Sequence, residues 1–211
     1  MRIIAGKYKK TPILTLEGED ITRPTRDMVK EALFSSIGIY SDTAFLDLFA
    51  GSGSIGLEAI SRGADEVVFN DINKEAVKII KKNLAKVKEE RTVLNLDYQE
   101  CLRTLADKQF DYIYVDPPYK FPSYEDVFFY INKFNVLKKE GIIILEVEKK
   151  TELKEEYLEF INYKVKNYGI NKLLYYRRDK WWLRLYIRVR LTPLQLDIWM
   201  SLKELLKFMT S

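Results

Sequence analysis

Ala44-Phe45-Leu46-Asp47-Leu48-Phe49-Ala50-Gly51-Ser52-Gly53-Ser54-Ile55-Gly56-Leu57-Glu58-Ala59-Ile60 is the stretch that decides the fold. An apolar strand runs into a glycine-rich turn and then into a helix, with Leu57, Ile60 and Ala64 at helical spacing. Gly51 and Gly53 let the backbone turn tightly and approach a ligand closely. With Gly56 they match the G-x-G-x-x-G spacing of nucleotide-binding strand–turn–helix units, a weak signal by itself. The next apolar run, Val67-Val68-Phe69-Asn70, ends at Asp71, 20 residues after Gly51, where an acid can accept hydrogen bonds from ribose hydroxyls.

Outward from this unit, strands are predicted near 44–49, 66–70, 91–96, 110–115 and 141–147. They alternate with helices near 54–62, 73–88, 98–106 and 124–135. Such alternation predicts an α/β fold, a parallel sheet with helices on both faces. Residues 2–5 and 13–16 read as a small hairpin with a basic turn, and 25–38 as a helix capped by Thr25 with Pro24 just before it. Ile161 to Lys166 alternates in period two, and Gly169-Ile170-Asn171 separates it from Leu173 to Tyr176, which predicts a closing antiparallel pair. The charge-rich run from Glu148 to Glu159 reads as a solvated helix face. The chain divides into 1–40, a basic hairpin and helix; 41–179, the central domain; and 180–211, a tail.

Phe110-Asp111-Tyr112-Ile113-Tyr114-Val115 reads as a buried strand, and Asp116-Pro117-Pro118-Tyr119 follows it. Neither proline has an N–H, and Pro117 pushes Asp116 out of the helical region, so the chain must leave the sheet in a stiff extended turn. That turn offers a carboxylate, backbone carbonyls and an aromatic ring at the sheet's carboxyl edge. Such a group can accept from an amino group on a flat ring while the tyrosine stacks on its face. Dinucleotide and S-adenosylmethionine sites share the glycine turn and the acid on the next strand. A dehydrogenase gives no reason for Asp-Pro-Pro-Tyr on a later strand; a methyltransferase acting on an exocyclic amino group does.

Asp-Leu-Phe-Ala-Gly-Ser-Gly from Asp47, the acid at 71, Asp97-Tyr98 and Asp116 to Tyr119 resemble the ordered motifs of class I amino methyltransferases. Residues 1–10 and Thr22-Arg23-Pro24-Thr25-Arg26-Asp27-Met28-Val29-Lys30-Glu31-Ala32-Leu33-Phe34 resemble the bacterial RsmD family, which methylates guanine N2 in small-subunit (16S) ribosomal RNA. The resemblance covers roughly residues 1–178. It implies a Rossmann-like class I methyltransferase fold: a mostly parallel seven-stranded sheet with a closing antiparallel pair and a small N-terminal hairpin. It implies S-adenosyl-L-methionine as cofactor, with Asp47 at its ammonium, Gly51 and Gly53 along its methionine part, Asp71 at the ribose, and Phe49 and Ala50 also among the cofactor-binding residues. Ile72 would then pack on the adenine, Asp97 beside Tyr98 would accept from its amino group, and Arg23 and Thr25 would help hold the carboxylate. Asp116, Pro117, Pro118 and Tyr119 would form the catalytic group, and Arg2, Lys7, Lys9, Lys10 and Arg26 the RNA contact. Lys30 is expected to be an ordinary solvated helix residue, and Asp97 to cap the helix after it as well.

The alternatives are a DNA adenine or cytosine amino methyltransferase, which usually carries an added recognition region, and a non-catalytic RNA-binding module, which needs no complete cofactor site. A protein-glutamine methyltransferase is expected to carry Asn where this chain has Asp116. The chain has no histidine, which excludes any mechanism that requires imidazole, and one cysteine, Cys101, which cannot form an internal disulfide. No metal site is expected. The N-terminus is polar and basic, without a signal peptide or a run long enough to span a membrane, so the expectation is a cytoplasmic protein. The resemblance implies small-subunit ribosomal RNA or a partly assembled subunit as partner, and a monomer is expected.

The tail stands apart. Residues 181–211 hold five basic and two acidic residues, +3 of the chain's net +4, so charge says little about RNA binding by the rest. An allowed choice of codons for Lys180 to Pro193, read one frame over, gives Met-Val-Val-Lys-Ala-Val-Tyr-Pro-Gly-Ser-Phe-Asp-Pro, which resembles the start of a phosphopantetheine adenylyltransferase. The tail is therefore read as an out-of-frame or overlap-encoded segment. The other reading is an amphipathic helix at 194–209.

Overall fold

All four residues of β1, Ala44–Asp47, are buried. A strand this short and this apolar has to be covered on both faces, as the centre of a parallel sheet is. It pairs in parallel with β2, Glu66–Asn70, on one side and β4, Phe110–Val115, on the other. The computed structural model describes residues 1–16, 23–118, 121 and 123–179, and for 23–26 the backbone only. The expectations for the tail and for Tyr119 lie outside the described residues.

With β3 Thr92–Leu94, β5 Leu137–Glu148, β6 Glu156–Tyr157, β7 Phe160–Tyr168 and β8 Asn171–Arg178, the sheet runs β3-β2-β1-β4-β5-β8-β7-β6. The first five strands in this order are parallel, and β5–β8, β8–β7 and β7–β6 are antiparallel. This is the expected class I methyltransferase sheet with its closing pair, extended at one edge by the two-residue β6. Helices α1 Arg23–Phe34, α2 Ser54–Ser61, α3 Lys74–Val87, α4 Tyr98–Thr104 and α5 Tyr124–Lys133 join the strands. Two apolar clusters lie on opposite faces of the sheet. One contains Leu46, Ile113, Phe128 and Tyr176; the other contains Phe45, Phe69, Ile80, Tyr114 and Tyr175. Consecutive strand residues alternate between them, as period two requires.

Two expectations need correction. Helix α1 begins at Arg23, not after a Thr25 cap, so Pro24 sits in the first turn, where a missing N–H leaves no helical bond unmade. The segment from Glu148 to Glu159 is not a helix. Its charges hide one anchor, Tyr157, which is buried in β6 and stacks on Phe128 with centroids 4.5 Å apart.

The N-terminal hairpin is held by one antiparallel bridge, Arg2 to Pro12, and by Ile3 N–H donating to the Thr11 carbonyl at 3.0 Å. It docks on α2. The Glu58 carboxylate accepts from the N–H groups of Ile4 (2.8 Å) and Ala5 (2.9 Å), and the Ser61 carbonyl accepts from Lys7 N–H at 2.7 Å. Gly6 is required at this turn: its φ is +79°, and a Cβ there would lie 1.8 Å from the Ser61 carbonyl oxygen.

Candidate active site

The strand order reverses between β1 and β4, and in open α/β sheets the crevice beyond the carboxyl ends at such a point is where ligands bind. Asp47 of β1 is in register with Tyr114 of β4, which is in register with Ile144 of β5. Period two then carries the same face on to Asp116 and Glu146 at the carboxyl edge. A cavity of about 370 Å³ opens there. Its wall includes Asp47, Phe49, Ala50, Gly51, Ser54, Asp71, Ile72, Tyr114, Asp116, Pro118 and Glu146. A second cavity of about 580 Å³ is lined by Pro117, Phe121, Tyr124, Glu148, Lys150, Thr151 and Asn171, and shares Asp116, Pro118 and Glu146 with the first.

The glycine turn aims donors at the acids. Gly51, in a left-handed conformation (φ +52°), donates its N–H to Asp71 Oδ2 at 2.7 Å, and Asn73 N–H donates to Asp71 Oδ1 at 2.8 Å. Gly53 adopts φ +76° at the cap of α2 and is not part of the cavity wall. Gly56 N–H donates to Asp47 Oδ2 at 3.0 Å; a Cβ at Gly56 would sit 2.2 Å from the Phe69 ring. Asp47 is 1% exposed, and its Oδ1 has no partner. Burial pushes its carboxyl up to about 7; the Gly56 N–H opposes this and the Asp71 charge adds to it.

Three wall residues carried no signal in the sequence. Tyr114 is buried and donates its hydroxyl to Glu146 Oε2, and Asn171 Nδ2 donates to Glu146 Oε1 at 2.7 Å. Burial first, then the Glu146 and Asp116 charges, hold the Tyr114 hydroxyl well above the usual phenol range. Lys30, expected in solvent, is 2% exposed and lines the first cavity. Its ammonium lies 2.6 Å from the Arg2 carbonyl, 3.2 Å from Ser54 Oγ and 3.7 Å from Glu58 Oε2, and burial lowers its pKa. It is a strut between hairpin, α1 and α2, and helical period could not reveal it because a lysine defaults to the wet face.

The other sequence-predicted residues divide. Asp97 caps α4, accepting from Gln99 and Glu100 N–H at 2.9 and 3.0 Å. Tyr98 packs on Phe49 and Phe121, with centroids 5.9 and 5.4 Å away. Neither Asp97 nor Tyr98 is part of either cavity wall. Arg2, Lys7, Lys9 and Lys10 are exposed on the hairpin, Arg2 paired with Asp27 and Lys7 with Glu89. Met1 of the same hairpin and Leu16 just after it form part of the first cavity's wall. The side chains of Arg23, Thr25 and Arg26 lie outside the described residues. Cys101 is buried on α4, its thiol pushed up to about 12 by burial.

The chain is similar in sequence and fold to known proteins. The family model described as "Conserved hypothetical protein 95" matches residues 1–177. Ribosomal RNA small subunit methyltransferase D of Haemophilus influenzae is 38% identical over 156 residues, covering 71% of this chain and 79% of its own. Among solved structures, protein HI0767 of Haemophilus influenzae is 32% identical with a TM-score of 0.69, over 84% of this chain and 98% of its own. Protein yhhF of Escherichia coli is 25% identical with a TM-score of 0.72, over 85% and 98%.

Proposed function

The chain belongs to the RsmD family, and on that premise we propose that it transfers a methyl group from S-adenosylmethionine to the exocyclic N2 of a guanine in small-subunit ribosomal RNA. The observation that carries this reading is the position of Asp116, a carboxylate at the junction of two cavities, one lined by Asp47, Gly51 and Asp71 and the other by aromatic rings.

The cofactor fits the residues of the first cavity. Asp47 Oδ1 is a buried acceptor without a donor, and an ammonium would satisfy it. Asp71, anchored by Gly51 and Asn73 N–H, retains acceptor sites for ribose hydroxyls, and exposed Ile72 with Phe49 offers apolar surface for an adenine. Asp97 and Tyr98 stand next to this end, beyond Phe49. When bound, the cofactor supplies an electrophilic methyl on a sulfonium sulfur.

The base would enter the second cavity against Phe121 and Tyr124, after leaving any stack. An aryl amino group is a weak nucleophile because its lone pair is delocalised into the ring. Asp116 and the Pro117 carbonyl accept its hydrogens, aim the lone pair toward the first cavity and stabilise the positive charge that develops. The nitrogen is strongly acidic once charged, so its proton leaves without a strong base, in keeping with a chain that lacks histidine. Arg2, next to Met1 of the first cavity's wall, and Lys7, Lys9 and Lys10 on the hairpin turn, which docks at the far end of α2, would meet phosphates of a substrate that extends past the cavity.

The test is incubation with methyl-labelled cofactor and, separately, small-subunit RNA, a partly assembled small subunit, large-subunit RNA, DNA and protein. Label is expected in the small-subunit RNA or subunit, as N2-methylguanosine by nuclease digestion and mass spectrometry. N6-methyladenosine, or label confined to DNA or protein, would contradict the reading.

A further inference from the structure

Asp116 does not stand alone at the junction. Val115, the last residue of β4, is in register with Leu145 of β5, whose strand runs parallel roughly 4.8 Å away, so Asp116 leaves the sheet beside Glu146. Both line both cavities. The Glu146 carboxylate is held from two sides, by the Tyr114 hydroxyl on Oε2 and by Asn171 Nδ2 on Oε1. A carboxylate has about four acceptor sites, so two remain for a ligand. A buried tyrosine and an asparagine from β8 thus fix a second acid beside the one that meets the amino group.

We propose that Glu146 is the residue that selects guanine, by accepting the N1–H of the same base whose N2 amino group faces Asp116. The inference rests on the guanine-N2 reading above. On guanine, N1–H and the amino group are both bonded to C2, so one edge of the ring presents donors side by side. Two adjacent carboxylates match that edge. Adenine and cytosine each place a ring-nitrogen lone pair beside their amino group. In this site that lone pair would face the Glu146 carboxylate, acceptor against acceptor. A site built to receive a hydrogen bond rejects an analogue that cannot give one far more strongly than an apolar pocket rejects a change in size. Asp116 alone would serve any of the three amino groups; the pair serves one.

2-Aminopurine separates the two acids experimentally. It keeps the amino group on C2 but carries a lone pair at N1. The wild-type chain is first used to map the methylated guanine in small-subunit RNA; absence of N2-methylguanosine there would refute the functional reading and not this inference in particular. Synthetic substrates then carry guanine or 2-aminopurine at that position. The wild-type chain is expected to prefer guanine by ~10²-fold or more in kcat/KM. Glu146→Gln is isosteric, and its amide N–H can meet the N1 lone pair. It should narrow the ratio at least about tenfold, by slowing guanine and sparing or speeding 2-aminopurine. Glu146→Asp draws the carboxylate back by one methylene and should narrow the ratio as well. Tyr114→Phe keeps the carboxylate and should keep the preference for guanine. A merely structural role would slow both substrates in proportion, and an unchanged ratio in Glu146→Gln and Glu146→Asp would overturn the proposal.

Discussion

A carboxylate that is 1% exposed and has one oxygen without a donor is a costly thing to keep, unless something is meant to meet it. Asp47 meets that description, and burial raises its pKa to about 7. Below that pH the free protein keeps the proton on Asp47. An ammonium at Oδ1 favours the ionised form, so binding expels the proton, and affinity should rise by up to about tenfold per pH unit until it levels off above about pH 7. Calorimetric titration with S-adenosylmethionine between pH 5.5 and 8 measures this slope. Asp47→Asn should bind weakly and without the slope; a pH-independent wild type would remove Asp47 from the ammonium site. Asp47 was legible in the sequence because a strand-end acid before a glycine turn has few other uses. Tyr114 and Glu146 were not. A tyrosine in an apolar strand reads as core, and Glu146 in Leu145-Glu146-Val147-Glu148 cannot be told from Glu148 until the register sets it beside Asp116.

At the scale of elements, one buried acid of α2 takes a large part in holding the N-terminal hairpin. Glu58 is 0% exposed, accepts from Ile4, Ala5 and Arg62, and faces the Lys30 ammonium. Removing it would leave a buried cation and two backbone donors unpaired. Glu58→Ala should therefore cost about 3–5 kcal/mol of unfolding free energy, read from denaturant melts. It should also free Met1 from the cavity wall. A loss under 1 kcal/mol would show that the fastening is not energetic. The alternation of strands and helices was readable because the central strands are apolar runs between turn residues, and the closing pair because period two survives in Ile161 to Lys166. The Glu148–Glu159 segment was misread because its charges outnumber the one aromatic that anchors it, and Tyr157 finds its partner, Phe128, on a distant element. Lys30 was misread for the related reason that its partners, Arg2, Ser54 and Glu58, come from two other segments of the chain.

For the molecule as a whole, the family match ends at residue 177, and the last strand among the described residues ends at Arg178. Truncation after Asp179 should leave a folded domain that binds cofactor, checked by circular dichroism and calorimetry; an insoluble or unfolded product would make residues 180–211 part of the fold. The sheet order brings Asp47 at the end of β1, Asp71 just after β2, Asp116 just after β4 and Glu146 of β5 to one edge, so the proposed cofactor contacts and the proposed substrate contacts fall on separate strands. That separation allows binding and chemistry to be broken independently. The most direct test is Asp116→Ala, assayed for both. Asp116 is an exposed acid at the cavity junction, and its proposed contact with the amino group would matter mainly in the transition state. The account predicts S-adenosylmethionine affinity close to wild type and turnover on small-subunit RNA lowered by about 10²–10³-fold or more. Full turnover in the Asp116→Ala variant, with N2-methylguanosine still formed, would contradict it.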